Sequence, residues 1–128
     1  MKLLLDTNVA IWSVIDTDRL SPREQDLIIE ADEVYVSHCS LWELAIKSTQ
    51  GRSALPPLTA PAARRLFEQS DFRLLEIKLD HIYAVADLPP LHKDPFDRLI
   101  VAQALTEPLR LVTKDRQLAA YSDTVIAW

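Results

Sequence analysis

The stretch that decides the fold is Lys2-Leu3-Leu4-Leu5-Asp6-Thr7-Asn8. Three leucines bounded by polar residues are typical of a short strand that is buried on both faces, as in the middle of a parallel sheet. Asp6 then stands at the carboxyl end of this strand, which is where open α/β sheets bind their ligands. A carboxylate at a buried strand end is costly unless a positive group meets it. Asp6 is therefore expected to meet a positive group that other parts of the chain help to hold.

Beyond this stretch, short apolar strands alternate with helices. Strands are predicted at 33–37, 72–77 and 110–113, with a further edge strand at 124–127, and helices are predicted at 9–15, after Ser21, after Ser40, and at 60–70, 79–88 and 94–104. This alternation favours a three-layer α/β/α sandwich around a central parallel sheet of four to five strands. With no linker or repeat, residues 1–128 are expected to form a single domain.

Several helix boundaries have local signals. Asn8 is a predicted N-cap, and Ser21 is followed by proline and then by an acid at the third helical position. Ser40 and Glu43 have the spacing of a capping box, as do Asp94 and Asp97. Two further expectations are a C-cap at Gly51 and a connection over residues 52–60 that contains Pro56-Pro57. On the helix at 79–88, the inward residues are expected to be Ile82, Val85 and Ala86.

The composition excludes several function classes. One glycine, Gly51, leaves no dinucleotide-binding or phosphate-binding glycine loop. One cysteine, Cys39, and three histidines argue against a structural zinc site, and the single cysteine fits a reducing cytoplasm. We expect no signal peptide and no membrane span. The net charge of −5 has the wrong sign for a general nucleic-acid binder, unless bound cations neutralise part of it.

Four acids can meet at one edge of the predicted sheet. If the first, second and fourth strands are parallel neighbours, Asp6, Glu43 and Asp115 lie above the same edge, and Asp97 reaches it from the start of its helix. Asp94 is a fifth candidate. Taken singly, Glu43 and Asp97 could each be a helix-capping acid, and Asp115 a turn residue. Together they would repel one another, so the set favours an oxygen-ligand site for one or two Mg²⁺ or Mn²⁺ ions.

These motifs resemble a known family. The chain carries Leu-Leu-Leu-Asp-Thr-Asn-Val from residue 3, Trp-Glu-Leu-Ala-Ile-Lys from residue 42, His-x-Asp-Pro-Phe-Asp-Arg-Leu-Ile-Val-Ala-Gln-Ala from residue 92, and Leu-Val-Thr-x-Asp from residue 111. In order and spacing they are similar to the PIN-domain ribonucleases, and most of all to the VapC toxins of bacterial toxin–antitoxin pairs. The third motif is the most specific of the four.

The resemblance implies a metal-dependent endoribonuclease that uses Mg²⁺ or Mn²⁺. Carried over by motif, the catalytic and metal-binding acids would be Asp6, Glu43, Asp97 and Asp115, with Asp94 as an additional ligand or only a cap. Asn8 and Thr113 would support them by hydrogen bonding. The implied partners are an RNA substrate, a cognate VapB-like antitoxin and a second copy of the chain in a homodimer, in the cytoplasm. One alternative is a non-catalytic RNA- or protein-binding module. Another is a phosphoacceptor receiver domain, but such domains have two adjacent acids after the first strand, whereas Asp6 is followed by Thr7 and Asn8.

Other polar and aromatic residues flank the acids. His38 and His92 could be ligands or proton relays, but we favour structural hydrogen bonding. Trp12 and Trp42 could stack on bases, or pack in the core or against a partner, and we favour packing. The resemblance makes both possible contacts of the antitoxin. Arg98 could guide RNA phosphates or pair with a nearby carboxylate. The remaining cations could guide RNA phosphates or be ordinary solvated side chains: Lys47, Lys93, Lys114 and Arg116.

Overall fold

The computed structural model describes residues 1–50 and 58–128. Five strands and six helices lie within these ranges: β1 (Lys2–Leu5), α1 (Thr7–Ile15), α2 (Pro22–Glu30), β2 (Glu33–Ser37), α3 (His38–Gln50), α4 (Ala60–Gln69), β3 (Arg73–Leu75), α5 (Leu79–Asp87), α6 (Pro95–Thr106), β4 (Arg110–Thr113) and β5 (Ile126–Ala127). Short 3-10 helices occupy Thr17–Arg19 and Arg116–Tyr121. The C-cap expected at Gly51 and the Pro56-Pro57 part of the predicted connection lie outside the described residues. No helix in the described part of the chain is long and apolar enough to cross a membrane.

The five strands form one parallel sheet in the order β3-β2-β1-β4-β5. The leucine strand β1 lies in its centre, where Leu4 pairs with Tyr35 of β2 and with Leu111 of β4. Leu3, Leu4 and Leu5 are fully buried, as the uninterrupted apolar run predicts. The predicted neighbours of β1 are confirmed, and the edge strand is shorter than expected.

Successive leucines of β1 face opposite layers of helices. Leu3 and Leu5 pack with residues of α1 and α4, such as Phe67. Leu4 packs on the other face with residues of α6, such as Ile100. Because side chains alternate along a strand, a strand covered on both faces must be apolar at every position. The predicted three-layer α/β/α arrangement is therefore confirmed.

Of the four predicted N-caps, two are confirmed and two are wrong. Ser21 and Asp94 are the N-caps of α2 and α6. Asn8 is not the cap of α1, because Asp6 is the cap and accepts a hydrogen bond from the backbone N–H of Val9 at 2.9 Å. Ser40 does not begin α3.

The helix α3 begins at His38, immediately after β2, so Ser40 and Glu43 do not form the predicted capping box. The Ser37 hydroxyl, at the end of β2, accepts a hydrogen bond from the backbone N–H of Cys39 at 2.9 Å. That bond satisfies a backbone donor in the first turn and leaves the side chains of Ser40 and Glu43 available for other contacts.

The inward face of α5 differs from the predicted one. His81 is fully buried, whereas Ile82 is 49% exposed, and Ala86 is also exposed. His81 Nδ1 accepts a hydrogen bond from the backbone N–H of Lys78 at 3.0 Å, and His81 Nε2 lies 2.5 Å from the carboxylate of Glu107. These polar contacts orient the helix in a way that a count of apolar residues does not predict.

Candidate metal centre

The four predicted acids gather at the carboxyl edge of the sheet. Asp6 follows β1, Asp115 follows β4 after one intervening residue, Glu43 lies on α3 directly after β2, and Asp97 lies in the first turn of α6. Their charges act on one another: Glu43 and Asp115 contribute to the raised pKa of Asp6, and Asp6 and Glu43 contribute to that of Asp97. The structure therefore brings together acids that are up to 109 positions apart in the sequence, from Asp6 to Asp115.

Asp6 is held by two hydrogen-bond donors. Its Oδ1 accepts from the Val9 backbone N–H, and its Oδ2 accepts from the Thr113 hydroxyl. The side chain is buried, and burial raises its pKa to about 6 although both hydrogen bonds act to lower it. Thr113 thus contacts Asp6, as the family resemblance implies.

Glu43 is also buried, and its two oxygens have different partners. The Thr7 hydroxyl donates to Oε1 at 2.6 Å and lies 2.9 Å from the Ser40 hydroxyl. Lys47 forms an ion pair with Oε2 from one turn further along α3. Burial is the largest influence on the pKa of Lys47 and acts to lower it, but the hydrogen bond and charge of Glu43 together with the charges of Asp94 and Asp97 outweigh it, so the pKa is raised. The i, i+4 spacing of Glu43 and Lys47 is a signal that could have identified this pair from the sequence.

Asp97 is the acid with the fewest contacts. Residues 1–50 and 58–128 form no hydrogen bond to its carboxylate, and the nearest cationic or imidazole nitrogen is His92 Nε2, 3.7 Å from Oδ2. Burial raises its pKa to about 7, and the charges of Asp94, Asp6 and Glu43 add to the effect. In the absence of a cation, the folded protein therefore disfavours the ionised form of Asp97 at neutral pH.

Asp94 is a helix cap. Its Oδ1 accepts from the backbone N–H groups of Phe96 at 2.8 Å and of Asp97 at 3.2 Å. This is the capping geometry that the sequence predicts for α6. The cap occupies one oxygen and leaves Oδ2 available, so a second role for Asp94 as a metal ligand stays a prediction.

Asp115 is oriented through both oxygens. Oδ1 accepts from the Gln117 backbone N–H at 2.9 Å, and Oδ2 lies 2.7 Å from His92 Nε2. Ligand atoms of His92, Asp97 and Asp115 lie within 4.8 Å of one another. The hydrogen-bonding role that we favoured for His92 matches these contacts, whereas His38 is exposed at the start of α3.

Two other predicted contacts have different outcomes. Arg98 does not pair with a carboxylate in the described part of the chain: its guanidinium donates to the carbonyls of Val85 and Pro89 and to the Tyr121 hydroxyl. Asn8 is exposed, and within the described residues its side chain has no hydrogen bond to an acid, so its supporting role stays a prediction.

The two tryptophans differ. Trp12 is partly buried against the core, as expected. Trp42 is 54% exposed and makes an edge-on contact with Phe96, with ring centroids 4.9 Å apart, so it is not packed in the core, and its packing against a partner stays a prediction. Lys93, Lys114 and Arg116 are exposed beside the acidic edge.

The donor set fits a hard divalent cation. Carboxylate oxygens from Asp6, Glu43, Asp97 and Asp115 are the ligands that Mg²⁺ and Mn²⁺ prefer, and no thiolate is part of the set. Cys39 is buried, and burial raises its pKa to about 12, which disfavours the thiolate. Burial is the main cause of the raised pKa values of Asp6 and Asp97, and the charges of neighbouring acids raise them further, so a bound cation would favour the ionised forms.

Comparison with known proteins gives one curated relative of high coverage. The chain is 36% identical over 120 residues to Ribonuclease VapC22 of Mycobacterium tuberculosis, and the match covers 93% of this chain and 91% of that protein.

Solved structures share the fold. The VapBC2 structure from Rickettsia felis, bound to a DNA fragment from its promoter, matches with a TM-score of 0.70 at 15% identity over 100% of this chain and 98% of that chain. DNA-bound VapBC from Salmonella typhimurium matches with a TM-score of 0.68 at 16% identity over 100% and 97% of the two chains. The family model for the PIN domain matches residues 3–123. On the strength of that match and of the 36% identical relative, the chain belongs to the PIN domain family.

Proposed function

We propose that this chain is an endoribonuclease that depends on Mg²⁺ or Mn²⁺ and acts as the toxin of a toxin–antitoxin pair. The observation that carries the proposal is the convergence of Asp6, Glu43, Asp97 and Asp115 at one edge of the sheet, with Asp97 lacking a hydrogen bond from the described residues. The relative named as a ribonuclease supports the reaction class. One similar structure, a toxin–antitoxin complex from Klebsiella pneumoniae by its title, supports the biological setting.

The four acids would hold the cation, and their roles follow from their contacts. Asp6 and Asp115 are fixed through both oxygens by donors, so they would supply preorganised ligands. Asp97 would complete the set from the helix α6. When bound, the cation supplies a Lewis acid that lowers the pKa of a water molecule and stabilises charge on the phosphodiester. Thr113 would keep the Asp6 carboxylate in place.

Basic side chains beside the acids would bind the RNA backbone. Lys93, Lys114 and Arg116 are exposed near the acidic edge, and they would offset the repulsion between RNA and a chain with a net charge of −5. Lys47 is instead engaged by Glu43. We propose that these three residues guide phosphates toward the cation, while the acids do the chemistry.

A cognate antitoxin of the VapB type would neutralise the toxin, and the toxin itself would form a homodimer. A cleft of about 430 Å³ lies between α3 and α4, where Leu41 and Pro61 provide apolar surface and Arg64, Arg65 and Glu68 provide charge. We propose this cleft as part of the surface that receives the antitoxin. Co-expression with the product of a neighbouring small gene, followed by size-exclusion chromatography, tests both assemblies.

The central test is RNA cleavage by the purified chain with Mg²⁺, with Mn²⁺ and with EDTA. We expect cleavage with either metal and none with EDTA. Replacing Asp6→Asn or Asp97→Asn should reduce the cleavage rate by more than the roughly 10–100-fold loss that is usual for partners outside the ligand set. Asp26→Asn, at an exposed position of α2, is the matched control and should retain full activity.

Two results would contradict the proposal. Undiminished cleavage by Asp97→Asn in EDTA would refute the metal mechanism. Mn²⁺ binding without cleavage of any RNA would favour the alternative of a non-catalytic RNA- or protein-binding module.

A further inference from the structure

His92 joins two of the segments that carry the acids. It lies between α5 and α6, and its side chain is 12% exposed. Its Nδ1 accepts a hydrogen bond from the backbone N–H of Asp94 at 3.1 Å, at the start of α6. Its Nε2 lies 2.7 Å from Oδ2 of Asp115, just beyond β4. The imidazole therefore bridges the α6 N-terminus and the end of β4.

These two contacts define which ring nitrogen carries the proton. A nitrogen that accepts from a backbone N–H has its lone pair engaged, so Nδ1 is unprotonated. The proton is then on Nε2, and Nε2–H donates to the Asp115 carboxylate. With its proton in place, Nε2 has no lone pair in the ring plane for a metal. Moving the proton to Nδ1 would break the bond to the Asp94 N–H and turn two donors toward each other.

We propose that His92 is a positioning residue, which orients the Asp115 carboxylate toward the divalent cation and is not itself a ligand. This inference rests on the proposed function. The close group of His92, Asp97 and Asp115 is then two carboxylate ligands and one hydrogen-bond donor. Donors in this position are known to fix the orientation of ligands and to tune affinity.

The contacts of Asp115 indicate how the His92 donor would act on the Asp115 carboxylate. Oδ1 is fixed by the Gln117 backbone N–H, and Oδ2 is fixed by His92. One donor alone would allow the carboxylate to rotate about that bond. The Asp115 side chain is 35% exposed, so water could pull a partly released carboxylate away from the site. The second donor removes that freedom and leaves lone pairs on both oxygens.

A second histidine has similar contacts away from the acids and serves as a comparison. His81 Nδ1 accepts from the Lys78 backbone N–H, and its Nε2 lies beside Glu107 at the end of α6. The His81 side chain is fully buried, and its contact with Glu107 joins α5 to α6. Removing the His81 imidazole should therefore lower stability without changing the affinity for metal, whereas removing the His92 imidazole should change that affinity.

The first experiment measures the tautomer in the metal-free protein. Long-range ¹H–¹⁵N correlation spectra of the His92 ring should show the pattern of an Nε2–H imidazole. Titration with Mg²⁺ should leave that pattern in place, because Nε2 keeps its proton. An Nδ1–H pattern, or loss of the Nε2 proton when Mg²⁺ is added, would show a ligand and would overturn the inference.

The second experiment measures Mn²⁺ affinity by calorimetry. His92→Phe keeps a planar ring without a donor, and we expect Mn²⁺ to bind about 10–100-fold more weakly. His92→Gln places an amide donor near the position of Nε2 and should recover most of the affinity. His38→Phe, at an exposed histidine, and His81→Gln should both bind Mn²⁺ as the unsubstituted protein does. If circular dichroism shows that His92→Phe does not fold, His92→Ala takes its place.

The other outcomes of the Mn²⁺ calorimetry also test whether His92 positions Asp115. Unchanged Mn²⁺ affinity in His92→Phe, or equal losses in His92→Phe and His92→Gln, would overturn it. If Asp97→Asn abolishes Mn²⁺ binding while His92→Phe retains it, this inference fails and the proposed function stands. If the unsubstituted protein binds no Mn²⁺, both fail.

Discussion

Replacing Asp97→Asn should stabilise the metal-free protein at alkaline pH. The pKa of Asp97 is raised from 3.8 to about 7, chiefly by burial and then by the charges of Asp94, Asp6 and Glu43. At about 1.4 kcal/mol per pH unit, this difference corresponds to roughly 4 kcal/mol between the protonated and ionised forms. The side chain is 20% exposed, so water lowers the effect, and we expect about 2–4 kcal/mol of stabilisation.

The sign follows from proton binding. Between pH 3.8 and about 7, the folded protein holds a proton on Asp97 that the unfolded chain has released, so the free energy of unfolding falls as the pH rises. Asparagine has no such proton and avoids the loss. The advantage of Asp97→Asn should therefore be small at pH 4.5 and complete at pH 8. Asp6, with its pKa raised to about 6, contributes the same kind of loss to both proteins.

The assay is urea unfolding followed by circular dichroism, in EDTA at pH 4.5 and pH 8. Asp26→Asn, at an exposed position, should change the free energy of unfolding by no more than about 0.5 kcal/mol at either pH. Mn²⁺ should reverse the order at pH 8, because ligand binding stabilises the protein that retains the complete acid set. If Asp97→Asn is less stable than the unsubstituted protein at pH 8 in EDTA, or if its advantage does not depend on pH, the reasoning about the acid cluster is refuted.

Two further predictions address the cap of α6 and the central strand. Asp94→Ser keeps a side-chain oxygen that can cap the helix, so the free energy of unfolding should fall by less than about 1 kcal/mol. Calorimetry with Mn²⁺ then separates the two roles of Asp94, because unchanged affinity means that it is only a cap and weaker affinity means that it is a ligand. Leu4→Ala removes a fully buried side chain from β1 and should lower the free energy of unfolding by about 2.7–5 kcal/mol in urea titrations, whereas Ile29→Ala, at a side chain that is 79% exposed, should change it by no more than about 0.5 kcal/mol.

The fold was predictable because its strongest signals are local. The run Leu3-Leu4-Leu5 has one physical explanation, burial on both faces, and it is confirmed as the central strand. Helix boundaries were predictable where the cap is a neighbour in the sequence, as at Ser21 and Asp94. The start of α3 was not, because β2 passes directly into the helix and the Ser37 hydroxyl meets the first turn.

The gathering of the acids was predictable from the strand order, but their individual contacts were not. That Asp6, Glu43 and Asp115 meet follows from parallel neighbours sharing one edge. The contact between Thr7 and Glu43 joins residues 36 apart, and no local pattern indicates it. The same holds for His92 and Asp115, which are 23 apart. Such pairs depend on how the helices lie on the sheet, which periodicity alone does not determine.

The way in which the acids are held explains why they remain available to a cation. Asp6 is oriented by a backbone N–H and a hydroxyl, and Asp115 by a backbone N–H and the Nε2–H of His92. Neutral donors fix the direction of a carboxylate without cancelling its charge, whereas an arginine or lysine at each position would do both. Glu43 is the exception, since Lys47 pairs with it.

Because most of the charge is left in place, the acids repel one another, and this repulsion adds to burial in raising the pKa of Asp97. The folded metal-free chain is thus less stable than one with neutral side chains at these positions would be, and a divalent cation that binds there relieves the repulsion. The repulsion between the acids lowers the stability of the metal-free protein. Because a bound cation relieves that repulsion, the same free energy contributes to the affinity for the cation. A substitution that stabilises the metal-free protein by neutralising an acid of this set should therefore weaken Mn²⁺ binding.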